Sequence, residues 1–203
     1  MKGSKIAIVI LGRPGSGKDT QAKLLAKKFG LVHIISSKVI EKALKSRETN
    51  IKLGGRVYNL ERERRLQKSG SLNTPEFVLA LIKSEIESAA LRGRGIVMSG
   101  SPRTLKELKG EWPLIEKLYG KNIFAFNVII SPKESYIRNL KRRRKDLPEL
   151  DTRKLIKKRL AVFMNETWPA IKLLKSKKMI IDIDGERPIM KIHKNILKIL
   201  SLK

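Results

Sequence analysis

One short run constrains this chain more than any other: Gly12-Arg13-Pro14-Gly15-Ser16-Gly17-Lys18. It follows an apolar, β-branched stretch, Lys5–Leu11. It precedes Thr20–Phe29, where Ala22, Leu25, Ala26 and Phe29 fall at helical spacing and Gly30 closes the pattern. The G-x-x-x-x-G-K spacing of a Walker A motif, set between a buried strand and a helix, predicts a loop that wraps phosphate with its own backbone N–H groups. Glycine is needed because side chains would block that approach, and the helix start adds its positive end. Lys18 can then reach the outer phosphates as a point charge. A chance glycine turn is the bland alternative; the agreement of spacing with both flanking elements argues against it. Ser or Thr ordinarily follows the lysine to hold Mg²⁺, but here the residue is Asp19, with Thr20 next.

The rest of the chain continues the alternation of strand and helix. Strands are predicted at Leu31–Ile35, Gly95–Ser99, Ile123–Ile130 and Met179–Ile183. Thr74-Pro75-Glu76 starts a helix with a capping hydroxyl, a first-turn proline and an early acid, and Phe77, Leu81 and Ile82 form its buried stripe. Further helices are expected around Tyr136–Lys145, from Thr152 to Lys175 and after Pro188. This order implies an α/β fold with a five-stranded parallel sheet flanked by helices. Two segments interrupt it: a polar, helix-prone insert, Ser36–Asn73, with a charged helical run at Tyr58–Gln67, and a charged turn, Arg144–Asp151. Both are candidate flaps. The expected division is one domain, with core segments 1–35, 74–140 and 153–203, an insert at 36–73 and a short lid at 141–152.

Composition narrows the partners. Lys and Arg number 46 against 19 Asp and Glu, a net charge of +27. Such a surface attracts polyanions, yet the lysines are scattered, as they are on solvated helix faces. Nucleic acid is therefore a possible partner that the sequence does not favour, and the 5% aromatic content offers little for stacking bases. No apolar run reaches the ~20 residues of a membrane helix, so no membrane partner is expected. There are no cysteines, and a cytoplasmic location is the default expectation.

Gly12 through Ala22 resembles the GxPGxGKGTQA loop of the adenylate kinases, and the likeness runs along almost the whole chain. Leu31–Ile34 resembles the strand before that family's monophosphate-binding insert, and Gly70-Ser71-Leu72-Asn73 with Thr74-Pro75-Glu76 resembles the insert's exit. Ser99-Gly100-Ser101-Pro102-Arg103-Thr104 resembles the DG(F/Y)PRT turn, Arg138 through Arg159 the lid of short-lid members, and Asp184–Pro188 the loop that cups the ATP base. The resemblance implies a P-loop kinase core, a nucleoside-monophosphate kinase activity with ATP as donor and AMP as first-choice acceptor, Mg²⁺ as cofactor and a monomer. It implies ATP contacts from Gly12, Pro14, Gly15, Ser16, Gly17, Lys18, Asp19, Thr20, Arg138, Arg142 and Gly185. Monophosphate contacts would come from Ser36, Ser71, Leu72, Asn73, Gly100, Arg103 and Glu107, metal contacts from Asp19 and Thr20, and catalysis from Lys18, Arg103, Arg142 and Arg159. Taken alone, Lys141–Lys145 could equally be a solvated face or a nucleic-acid contact.

Five positions depart from the family pattern. An acceptor-phosphate arginine falls at Glu41, with Arg47 or Arg56 as candidate substitutes; the strand-end aspartate that helps hold Mg²⁺ is Ser99; a lid arginine falls at Pro148, beside Arg143 and Arg144; the glutamine that reads adenine is Glu107; and the loop glycine is Asp19. Asp19 is expected to restore the charge lost at Ser99. Glu107 suits a base edge rich in donors or is a surface residue off the substrate, so GMP, CMP or UMP stand as alternative acceptors. A nucleotide-binding protein of weak turnover that binds RNA or a partner is the reading from a different class.

Overall fold

The computed structural model describes residues 5–142 and 148–201. Its centre is β1 (Ala7–Gly12), buried along its whole length. Every residue of this strand must be apolar because both faces are covered. Ile6, Ile8 and Ile10 pack on one side against Ala22, Leu25, Ile192 and Ile196, while Ala7, Val9 and Leu11 face a second core with Phe77, Ile82 and Ile115. Around it, β2 (Val32–Ile35), β5 (Ile96–Ser99), β6 (Ile123–Ile129) and β7 (Ile181–Asp184) complete a five-stranded sheet of order β2-β5-β1-β6-β7. Every pairing in that sheet is parallel.

Helix α1 (Lys18–Phe29) follows β1 and is closed by Gly30 in the left-handed conformation, its N–H returning to Ala26. Helices α4 (Pro75–Leu91), α5 (Leu105–Tyr119) and α6 (Pro132–Lys141) lead from one strand to the next, and α9 (Ile189–Ser201) ends the described chain. Thr104 and Ser131 cap α5 and α6 by accepting N–H bonds from Glu107 and Glu134. Sequence patterning did not separate α5 from its surroundings, because Pro113 interrupts it and its buried face carries Glu107 and Glu111.

The single helix expected over Thr152–Lys175 is broken in register. It runs as α7 (Arg153–Val162), a π-helical turn (Phe163–Thr167) and α8 (Trp168–Ser176). Pro169 has no N–H, and its ring crowds the carbonyl four residues back, so the ladder widens just before it.

The insert also departs from a purely helical reading. After α2 (Ser36–Leu44), strands β3 (Asn50–Leu53) and β4 (Arg56–Asn59) form an antiparallel hairpin, and α3 (Leu60–Lys68) follows. Tyr58, placed in a helix by its neighbours, lies in β4. Asn59 instead caps α3, accepting the Arg62 N–H at 2.8 Å. Of the expected lid, residues 143–147 lie outside the described residues, including Arg143 and Arg144; Pro148–Asp151 form a 3₁₀ turn.

One buried carboxylate ties the insert to the core. Glu63 accepts from Asn73 Nδ2 at 2.9 Å, Thr74 N at 3.0 Å and Thr74 Oγ1 at 2.6 Å, where the chain leaves the insert for α4. Removing it strands these donors in a dry site. Glu63→Ala is expected to cost about 3 kcal/mol in urea unfolding, whereas the exposed Glu61→Ala changes stability by less than about 0.5 kcal/mol.

Candidate active site

A crevice of about 430 Å³ opens at the carboxyl edge of the sheet, where the chain leaves β1, β2 and β5. Neighbouring strands with connections running to opposite faces leave such a crevice open in α/β sheets. Its floor is the loop after β1. Gly12 has φ +145°, and a Cβ there would lie 2.5 Å from Val128 O and 2.8 Å from Ser16 Oγ, so no other residue fits. Gly17 takes φ +86° at the start of α1. Ser135 Oγ donates to Pro14 O at 2.5 Å and Arg13 Nη1 to Ile130 O at 3.0 Å, pinning the loop to β6 and α6. The buried Ser16 Oγ has no partner within the described protein. A buried hydroxyl without a protein partner, in a glycine-rich loop at a helix start, fits an anion.

Beside it, the turn after β5 forms a wall of the crevice. Gly100 has φ +78°, and a Cβ there would meet Ser36 Oγ at 3.0 Å and Arg103 Nη2 at 3.1 Å. Within this turn, whose Ser101–Pro102 bond is cis, the Arg103 guanidinium donates to Gly100 O at 2.6 Å and Ser36 Oγ at 3.0 Å. Ser36 Oγ itself donates to Gly100 O at 2.6 Å.

Lys18, Arg103, Arg142 and Arg159 all line the crevice. Lys18 registers both its burial and its charged neighbours. Loss of water pulls its pKa down to about 8; Asp19 opposes this, and Arg103, Arg159 and Arg142 add to it. Burial pushes the Asp19 carboxyl up, but Lys18, the Ser99 hydroxyl, Arg142 and Arg103 outweigh it and hold the group below the ordinary carboxylate range. Ser99 Oγ also lies 3.2 Å from His33 Nε2. Desolvation lowers the His33 pKa, with Asp19 pulling it up and Lys38 pushing it down.

Among the residues singled out from sequence, Gly12, Pro14, Asp19, Thr20, Ser71, Leu72, Asn73 and Gly100 also line the crevice. Gly15, Ser16 and Gly17 shape the loop behind it, and Ser36 acts through Arg103. Arg138 is off the wall: it donates to Glu134 Oε1 at 2.6 Å and to Gly185 O at 2.9 Å. Gly185 is packed tightly, for a Cβ there would meet Val128 Cγ1 at 2.6 Å. Glu107 is neither on the wall nor on the surface. It is 1% exposed and its carboxylate is taken by the Arg103 backbone N–H at 2.7 Å, because α5 starts directly under that turn.

Glu41 lines the crevice but is paired with Lys45 at 3.3 Å. Arg47 and Arg56, the expected substitutes, are exposed and off the wall, whereas Lys38, on α2 with Glu41, lines it. Sequence reasoning also passed over His33, Gln67, Phe163 and Thr167, all on the wall. The last two are placed there by the π-helical turn, which has no short sequence signature beyond Pro169.

Lys18 generates a prediction of its own. A lysine whose folded pKa is depressed gives up stability as pH falls through that value, and the loss is absent above the unfolded value of 10.5. Lys18→Met should therefore raise the apo-protein Tm at pH 7, by about 2–4 °C per kcal/mol recovered, and leave it unchanged near pH 11. The same substitution should lower turnover by about 10²–10³-fold.

Residues 10–179 match the family model described as adenylate kinase. Relatives along the full length include the adenylate kinases of Elusimicrobium minutum (26% identical, covering 97% of this chain and 99% of the relative) and Prochlorococcus marinus (28% identical, 98% of each). That of Blochmanniella pennsylvanica is 28% identical, covering 97% and 99%.

Proposed function

The chain belongs to the adenylate kinase family and is a nucleoside-monophosphate kinase; from that premise we propose that it transfers the γ-phosphoryl group of ATP to AMP, the two nucleotides meeting end to end in the crevice. The observation that carries this reading is the convergence of Lys18, Arg103, Arg142 and Arg159 on one cavity whose floor is a glycine-rich anion loop. Phosphoryl transfer asks for alignment and positive charge more than for a protein nucleophile. In this reading the loop amides and Lys18 hold the donor's outer phosphates. Arg103, already braced by Ser36 and Gly100, offers its guanidinium to the acceptor's phosphate. Arg142 and Arg159 spread charge from the transferring group, and Arg138 and Gly185 border the donor base. Ser71, Leu72 and Asn73 line the acceptor end beside Lys38. The insert 36–73 and the lid 141–152 act as the covers that keep water from the reaction.

The donor set suits Mg²⁺. Among the described residues no cluster of three His, Cys, Asp or Glu could cage a metal. Mg²⁺ needs one or two carboxylates and otherwise takes water and phosphate oxygens. Asp19, kept ionised beside Lys18 and held by Ser99, supplies that carboxylate with Thr20 next to it. Bound with ATP, the ion would screen the phosphate charge. Asp19 in this account takes over from the strand-end position occupied by Ser99. Asp19→Asn is expected to weaken Mn²⁺ affinity of the ATP complex about tenfold or more, read by electron paramagnetic resonance. Unchanged affinity would exclude Asp19 from the metal.

The acceptor is the finer question. Coupled ADP-release assays with AMP, GMP, CMP, UMP and dTMP should show monophosphate-dependent turnover highest with AMP. A higher rate with another base would reassign the acceptor, and no dependence on any monophosphate would overturn the kinase reading. A second reading draws on one observation: Arg153, Lys154, Lys157 and Lys158 are all exposed on α7, with no acid in its first turn. Salt-sensitive RNA binding without turnover would promote it.

A further inference from the structure

Beneath the turn that aims Arg103, two carboxyl groups share one dry pocket. Glu107 and Glu111 stand one turn apart on α5, 1% and 0% exposed. Glu107 Oε2 accepts the Arg103 backbone N–H at 2.7 Å and faces Ser101 Oγ at 3.4 Å. Ser101 Oγ is 2.6 Å from Glu111 Oε1, and Glu111 Oε2 has no hydrogen-bond partner among the described residues. The buried side chains of the packed helices α4 and α8 are apolar, including Val78, Ile82 and Ile171. The Lys106–Glu76 ion pair lies at the exposed edge between α4 and α5. The cation acting on both carboxyls is Arg103, whose guanidinium is already committed to Gly100 and Ser36. Two buried like charges against one such cation do not both ionise at neutral pH.

We propose that Glu111 is held as a neutral carboxylic acid and, through Ser101, positions Arg103 for the acceptor's phosphate. Donor counting sets the order. The Glu111 carboxyl O–H donates to Ser101 Oγ, whose own hydrogen turns to ionised Glu107, which keeps the Arg103 N–H. Ionising Glu111 would draw the Ser101 hydrogen away from Glu107 and set two charges side by side under the turn. Burial, then the charge of Glu107, pushes Glu111 well above the ordinary carboxylate pKa, against Ser101 and Arg103. Burial also raises Glu107, against the Arg103 N–H and charge. A carboxyl raised in this way costs nothing below its ordinary pKa and destabilises the fold as pH climbs through the raised value. The turn is therefore tightest while Glu111 keeps its proton and loosens as pH climbs past the point at which that proton is lost.

The role assigned to Arg103 rests on the kinase reading; the proton on Glu111 does not. Infrared spectra at neutral pH should contain the carbonyl band of a buried carboxylic acid, and Glu111→Gln should remove it. The monophosphate KM of the natural protein should rise about tenfold on the alkaline side, the change that one pKa unit of coupling produces. Glu111→Gln, a mimic of the neutral acid, should abolish that rise. Glu111→Leu, which deletes the donor, should raise the monophosphate KM by about tenfold at every pH with kcat little changed. Lys18 titrates in both the natural protein and Glu111→Gln, so their ratio isolates Glu111. Absence of the acid band, or an alkaline rise that persists in Glu111→Gln, would overturn the proposal. The acid band without monophosphate turnover would leave the proton assigned while sinking both the kinase reading and the positioning role.

Discussion

Unbalanced positive charge at the carboxyl edge of the sheet is the constraint on which the rest of this structure turns. Lys18, Arg103, Arg142 and Arg159 face one crevice, against the carboxylates of Asp19 and a Glu41 already paired with Lys45. Like charges held close in a partly dry cleft repel; the pKa of Lys18 is depressed first by loss of water, and Arg103, Arg159 and Arg142 add to that against the pull of Asp19. The fold tolerates it because the two cores on either face of β1 carry the stability, leaving the edge free for a polyphosphate to neutralise. Strand order makes the arrangement possible. With β1 paired to β5 and β6, the anion loop and the Arg103 turn emerge side by side.

Acidic groups are distributed to match. Asp19 is the carboxylate kept ionised within the cation cluster, steadied by a hydroxyl that also reaches His33. Glu107 and Glu111 lie behind the turn, out of the crevice, where Glu107 accepts the Arg103 backbone N–H and Glu111 meets the Ser101 hydroxyl. A carboxylate on the wall would neutralise Arg103; one beneath the turn holds it in place. The π-helical turn adds Phe163 and Thr167 to the wall.

Much of this was legible in the sequence, and what was missed has physical reasons. The central strands β1, β5 and β6 could be read because a doubly covered parallel strand is almost wholly apolar, and the loop after β1 because its glycine spacing is fixed. The hairpin Asn50–Asn59 was overlooked although Gly54-Gly55, with φ +54° and +80°, sits between alternating residues and is a hairpin signal in its own right. Glu107 was expected to reach substrate or solvent. Only the start of α5 beneath the Arg103 turn reveals that its oxygen is already engaged. Lys38 was passed over in favour of Arg47 and Arg56, since direction along a short helix such as α2 cannot be told from charge alone.

The central claim is that two nucleotides meet end to end between the amides of Gly12–Lys18 and Arg103. Calorimetric titration with a dinucleoside pentaphosphate, in which one molecule spans both sites, tests it most directly. The account predicts one tight site per chain, displaced by ATP and by AMP alike, and weakened by Arg103→Ala. Binding displaced by ATP alone and indifferent to Arg103 would contradict it.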